Sequence, residues 1–174
     1  NTIFTVYNGT RAWARAKQVR VDLFDFHTTQ LGVGGTGDDI SDRGRRFSGI
    51  SGGIVLPKTL FGGSKLYLDP FFWRLRNSAA TWGRTTTREE RFFYGLHTLG
   101  DIGPVNLDWT VNHQGGHYDG RPISAWLLLF AQNYRLGKDR GAPRVGFHAD
   151  YASGGASDTG GTQLTRRTPN RQDI

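Results

Sequence analysis

Residues 105–114 alternate strictly between apolar and polar side chains. The apolar or aromatic set contains Val105, Leu107, Trp109, Val111 and His113. The polar set contains Asn106, Asp108, Thr110, Asn112 and Gln114. Alternation over about ten residues is typical of a β-strand that crosses a bilayer, with lipid on one side and water on the other. A strand of a soluble β-sandwich alternates in the same way, so the prediction depends on how often the pattern recurs.

Similar segments recur along the chain and predict eight strands. They cover residues 9–16, 19–30, 47–56, 64–76, 90–99, 105–114, 122–136 and 143–153, and residues 1–7 fit the end of a further strand. We expect short turns at residues 16–18, 57–63, 100–104 and 137–142. We expect longer polar loops at residues 31–46, at 77–89 and from 152 onward, with 115–121 as a shorter member. Short turns on one side and long loops on the other are typical of outer-membrane barrels.

Composition supports an all-β fold rich in turns. The 174 residues include 25 glycines and 22 aromatic residues (11 Phe, 6 Tyr, 5 Trp), and they include no cysteine, which excludes disulfides and thiolate metal sites. The longest apolar run, residues 125–131, is far below the roughly 18 residues that a transmembrane helix needs. Only helices and closed barrels satisfy their backbone hydrogen bonds in lipid. We therefore predict an antiparallel up-and-down transmembrane β-barrel, of which this chain supplies about eight strands.

The two ends of the chain predict a segment of a longer protein. Asn1 is not a methionine, and no basic and apolar leader follows it. The last residues are polar and carry Arg166, Arg167 and Arg171. We expect residues 1–153 to form barrel strands and loops of one domain, and residues 154–174 to form a polar loop or tail.

The charged residues of the chain indicate which kind of solute such a barrel transports. The net charge is +7, and the alternation predicts a set of charged side chains on the lumenal side. These candidate pore-lining residues are Arg11, Arg15, Arg20, Asp22, Lys65, Asp69, Arg91, Asp108, Arg135, Arg144 and Asp150. An arginine-lined pore favours anions, and guanidinium groups bind carboxylates through paired hydrogen bonds. The alternative is that these charges only pair with one another and fill the barrel. Interfacial aromatic positions are predicted at Trp109, Trp126, Tyr134 and Tyr151.

Several segments resemble successive strands of the alginate export family of outer-membrane barrels. They are residues 20–26 (RVDLFDF), 91–100, 105–114 (VNLDWTVNHQ), 123–126 (ISAW) and 143–154 (PRVGFHADYASG), the last being the most specific. The order matches from about Arg11 to Ser153, while residues 161–174 depart from the family's pattern. The resemblance implies an internal part of a larger barrel in the bacterial outer membrane. It also implies pore-lining roles for Arg20, Asp22, Arg91, Asp108, Arg144 and Asp150.

The resulting hypothesis is a porin-like channel for an anionic polysaccharide or oligosaccharide such as alginate. Its expected partners are that uronate polymer, outer-membrane lipid and periplasmic secretion components. We expect no catalytic residues, no cofactor, no metal site and no nucleic acid. Acidic residues in the loops, such as Asp38, Asp39 and Asp42, leave weak calcium binding open.

Two alternative functions remain at this point. A β-sandwich polysaccharide lyase would use Asn112, His113 and Tyr118 to bind a uronate and abstract a proton. Against it, Asn112 and His113 are predicted on opposite faces of their strand. A soluble basic β-domain would bind nucleic acid through cations and aromatic rings. Against that, acidic residues are interleaved with the arginines.

Overall fold

The chain folds into one antiparallel β-sheet. The computed structural model describes residues 6–30, 40–57, 65–82, 84–139 and 141–153. These residues form eight strands, namely β1 (Val6–Ala16), β2 (Val19–Gln30), β3 (Ile40–Val55), β4 (Leu66–Trp82), β5 (Thr85–Ile102), β6 (Val105–Tyr118), β7 (Arg121–Arg135) and β8 (Arg144–Ala152). In the described parts of the chain, no helix has the length and hydropathy needed to cross a membrane.

The strands lie side by side in chain order, and each pairs antiparallel with the next. This up-and-down topology confirms the predicted fold class. Within the described residues β1 and β8 each pair with one neighbour, so the sheet is not closed and corresponds to part of a barrel wall. The described residues contain no second sheet packed against the first, which a β-sandwich requires.

The register gives all eight strands the same two faces, because directly opposed residues of neighbouring strands share a face. We call one side the charged face. Its charged and histidine residues include Arg11, Arg15, Arg20, Asp22, Asp69, Arg91, His97, Asp108, Arg135, Arg144, His148 and Asp150. We call the other side the apolar face. One continuous row of opposed residues on it is Ala12, Leu23, Ile50, Phe72, Tyr94, His113 and Trp126.

Two of the predicted long loops are wrong. Residues 77–82 continue β4, and residues 85–89 belong to β5. Residues 115–118 continue β6, and only Asp119 and Gly120 separate β6 from β7. The loop prediction failed because these segments are rich in Thr, Ser, Arg and Gly, which are also common in loops. In the β4–β5 hairpin, Thr81 Oγ1 lies 2.8 Å from Thr86 Oγ1, and such cross-strand pairs stabilise a sheet.

Consequently, short turns occur at both ends of the sheet. At the end predicted to carry short turns, Lys17 and Gln18 connect β1 to β2, and Gly103 and Pro104 connect β5 to β6. Of the predicted loop 31–46, residues 40–46 belong to β3, and residues 31–39 lie outside the described residues. The tail at residues 154–174 and the acidic residues Asp38 and Asp39 also lie outside them.

Few side chains are buried, as expected for a single layer. Ala80, Tyr118 and Ile123 form a small core with the partly buried Trp82. This core lies on the charged face, where the hairpins β4–β5 and β6–β7 meet. The Tyr118 hydroxyl donates a hydrogen bond to the Thr85 carbonyl at 2.6 Å and so ties the two hairpins together.

Candidate functional site on the charged face

Two arginines bind one aspartate where β1 meets β2, and a third arginine lies next to them. Arg11 Nε donates to Asp22 Oδ1 at 3.0 Å, and Arg20 Nη2 donates to the same oxygen at 2.9 Å. Arg15 lies directly opposite Arg20 in the register. The side chains of Arg11 and Arg20 are about half exposed, at 54% and 48%. This corner of the charged face therefore carries a local excess of positive charge that is open to solvent.

A histidine links two carboxylates in the middle of the face. His97 Nε2 lies 2.8 Å from Asp108 Oδ1, and His97 Nδ1 lies 3.9 Å from Asp69 Oδ2. Asp108 is 65% exposed. The middle of the charged face therefore holds two carboxylates around one histidine.

The last two strands bring together the remaining predicted charges. Arg135 and Arg144 are directly opposed, next to the connection between β7 and β8. His148 Nε2 lies 2.8 Å from Asp150 Oδ1, and both side chains are exposed. The charged face thus holds two arginine groups, one on β1 and β2 and one on β7 and β8, with the acids Asp69 and Asp108 between them.

Two of the predicted residues have a different environment. Arg91 is on the charged face but is buried: it pairs with Glu89 on its own strand, and its guanidinium carbon lies 5.3 Å from the ring centroid of Trp82. Lys65 precedes β4, is exposed, and accepts the Asp101 N–H on its carbonyl oxygen at 2.8 Å. The guanidinium of Arg91 and the ammonium of Lys65 therefore belong to neither of the two arginine groups described above.

A cluster of aromatic rings on the charged face was not among the predicted site residues. We call it the aromatic strip, and it consists of Phe24, Phe26, Phe47, Phe71 and Trp73. Neighbouring ring centroids lie 5.3 Å apart for Phe24–Phe26, 5.1 Å for Phe24–Phe47, 6.1 Å for Phe47–Trp73 and 4.3 Å for Phe71–Trp73. The sequence held a signal for the first two rings, because Phe24 and Phe26 follow Asp22 in steps of two.

The apolar face is exposed and aromatic. Its exposed large side chains include Leu23, Ile50, Phe72, Tyr94, Leu96, Val111, Trp126, Tyr134, Val145, Phe147 and Tyr151. All four predicted interfacial residues, Trp109, Trp126, Tyr134 and Tyr151, lie on this face. The His113 ring packs between Tyr94 and Trp126, with centroid distances of 4.9 and 4.6 Å.

Ion pairs occur on this face only toward one end of the strands among the described residues. Arg46 Nε donates to Asp25 Oδ1 at 2.6 Å, and Arg76 Nε donates to Glu90 Oε1 at 3.2 Å. Arg74 also contacts Glu90. On β4 these arginines follow the apolar residues Leu68, Pro70 and Phe72 in steps of two. The apolar band of the face therefore ends at this row of ion pairs.

The residues proposed for a lyase do not form a site. Asn112 is opposed to Gly95 and Leu127 on the charged face, whereas His113 is on the apolar face and its Nε2 pairs with Ser124 Oγ at 3.1 Å. The Tyr118 hydroxyl is engaged in the small core. A substrate on one side of the sheet cannot reach both Asn112 and His113.

In a comparison with known protein families, residues 4–172 match the alginate export family. No curated protein and no solved structure gives a significant match. The match spans nearly the whole chain and includes all eight strands. The chain therefore belongs to the alginate export family, a family of outer-membrane polysaccharide transport proteins.

Proposed function

We propose that this chain forms part of the wall of an outer-membrane channel, with the charged face toward an aqueous lumen that passes an anionic polysaccharide such as alginate. Membership of the alginate export family supports an outer-membrane role in alginate transport. Beyond this family role, we propose that the arginines of the charged face line the lumen and that passage is porin-like.

One observation carries the proposal: a single-layer sheet has charges on one face and a continuous exposed apolar row on the other. Along that row Leu23, Phe72 and Trp126 are 50%, 44% and 48% exposed. Soluble proteins rarely expose apolar patches larger than a few hundred Å². A lipid environment accounts for the apolar face, and water inside a barrel accounts for the charged one.

The charges fit a polymer of carboxylated sugars. The exposed guanidinium groups of Arg11, Arg20 and Arg144 would attract carboxylates into a lumen bounded by low-dielectric walls. Asp22 already occupies part of the hydrogen-bonding capacity of Arg11 and Arg20. A pore needs sites that bind weakly enough for release, and a shared aspartate weakens each arginine toward a passing anion.

The test is the ion selectivity of the natural full-length protein in planar bilayers. We expect Arg144→Glu to shift the reversal potential in a salt gradient toward cation selectivity, because it reverses an exposed charge on the charged face. The matched control is Arg88→Glu, which makes the same charge change at an exposed position near the tip of the β4–β5 hairpin. A reversal potential that Arg144→Glu leaves unchanged would reject the lumenal orientation.

A further inference from the structure

The aromatic strip forms one continuous surface on the face that carries the arginines. Phe47 of β3 is opposed to Phe26 of β2, and Trp73 of β4 is opposed to Gly49 of β3. The five rings are joined by four ring contacts with centroid distances from 4.3 to 6.1 Å. They therefore form a track that crosses three neighbouring strands.

The strip has neither the position of a lipid-facing girdle nor that of a buried core. Its rings are on the face opposite to Phe72, Tyr94 and Trp126. None of the five side chains is buried, and the described residues place no second layer over them. Aromatic surface of this kind, on a face otherwise rich in charge, is available to a ligand in the lumen.

The rings are held in place by the sheet beneath them. A side chain at position 95 would meet Phe71 Cζ at 2.7 Å, and one at position 49 would meet Trp73 Cδ1 at 2.8 Å. Glycine at both positions leaves that space to the rings. In addition, Trp73 Nε1 donates a hydrogen bond to Ser51 Oγ at 2.9 Å. The strip is therefore preorganised, and a ligand would lose little free energy in ordering it.

Positive charge lies beside the strip. Phe24 is directly opposed to Arg11 on β1, and Arg11 and Arg20 flank Asp22, two residues before Phe24. A uronate polymer offers both matching chemistries. Its carboxylates suit guanidinium groups, and the C–H bonds on the faces of its pyranose rings suit the negative faces of aromatic rings.

We infer that the aromatic strip is a stacking track for the pyranose rings of the passing polysaccharide. This inference rests on the proposed lumenal orientation and extends it from carboxylate attraction to recognition of the sugar ring. Successive weak stacking contacts hold the chain of sugars against one side of the wall and let it advance from ring to ring. Charge alone attracts any anion, whereas the strip favours anions built of sugar rings.

The experiment records single-channel currents of the natural full-length protein with a short oligouronate as probe and measures how long each blockage lasts. Phe24→Leu with Phe47→Leu removes two rings but keeps apolar side chains of similar volume. We expect the blockage time to fall about two- to tenfold for each ring lost, which is the size of one aromatic contact. Phe24→Tyr with Phe47→Tyr keeps both rings and is expected to retain the long blockages.

Phe72→Leu is the matched control, because it removes a ring from the apolar face. If the double leucine variant does not insert, Phe47→Leu alone is measured by the same criterion. If the oligouronate blocks the unchanged protein and the leucine variants for equal times, the stacking track is overturned. The channel proposal would still stand. An unchanged protein that the oligouronate does not block at all would overturn the proposed function, and the track with it.

Discussion

Arg91 and Glu89 form an ion pair that is almost completely covered, with side-chain exposures of 3% and 4%. They are two residues apart on β5 and are on the charged face next to Trp82 of the same hairpin. Arg91 Nη2 and Trp82 Nε1 have no hydrogen-bond partner among the described residues. The pair is therefore a structural part of β5 that contacts β4 through the Trp82 ring, whereas Arg11 and Arg20 on the same face are about half exposed.

Breaking this pair is expected to destabilise the protein. Glu89→Ala leaves the buried guanidinium of Arg91 without a counter-charge, which typically costs about 3–5 kcal/mol. The measurement is the urea concentration at which the protein unfolds in detergent. Unfolding is monitored on a gel as the loss of heat-modifiable migration. Arg88→Ala, at the exposed neighbouring position, is the control and should change stability little. Equal midpoints for both variants would contradict the structural role of the pair.

The two faces of β6 are expected to differ in their tolerance of arginine. Val111→Arg places a charge on the apolar face at the row of Leu96 and Leu128, where a mid-membrane position costs about 2–4 kcal/mol. Asn112→Arg, one residue further, points to the charged face and should insert far better. The amount of heat-modifiable protein in outer-membrane fractions measures both. Equal insertion of the two variants would mean that the proposed orientation of the sheet is wrong.

Position 95 is expected not to tolerate any residue larger than glycine. A Cβ at this position would meet the Val111 carbonyl oxygen at 2.1 Å and Phe71 Cζ at 2.7 Å, so the β5–β6 pairing has to shift. We expect Gly95→Ala to lower the free energy of unfolding by about 1–3 kcal/mol. Gly141→Ala is the control, because nothing lies within 4 Å of its Cβ position. A Gly95→Ala variant as stable as the control would show that the strands approach less closely than described.

The two ends of the sheet are expected to lie on opposite sides of the membrane. The sequence contains no cysteine, so a single introduced thiol reports one position. The strands β3, β4 and β5 extend furthest at the end that carries Arg84, which we assign to the cell exterior. A membrane-impermeant maleimide added to intact cells should label Arg84→Cys and spare Lys138→Cys until the outer membrane is opened. The reverse labelling would invert the orientation.

Much of the charged face was predictable because side chains in a strand alternate with a period of two. Once residues 105–114 were assigned to a strand, Asp108 had to share a face with Asn112, and the register extends that face to Asp150. The prediction of strands and turns required only local pattern. It succeeded for the number of strands and their order along the chain. The turns predicted at residues 16–18 and 100–104 are shorter, at residues 17–18 and 103–104, because Ala16 ends β1 and β5 continues to Ile102.

The features that were missed depend on pairing between strands. The burial of Arg91 follows from Trp82, which belongs to a segment whose polar composition predicted a loop. The aromatic strip requires Phe47 to lie opposite Phe26, and that register is not readable from either strand alone. Alternation assigns a face to a residue, but the neighbours on that face are set by the register.

The chain-order arrangement of the strands also bears on how such a wall is built. Every described pairing joins consecutive strands, so each contact closes only a short stretch of chain. No strand has to be threaded between two that are already paired. We therefore expect the sheet to grow hairpin by hairpin, with each new strand added at an open edge. Assembly of this kind shields backbone amides from lipid at every stage except at the growing edge itself.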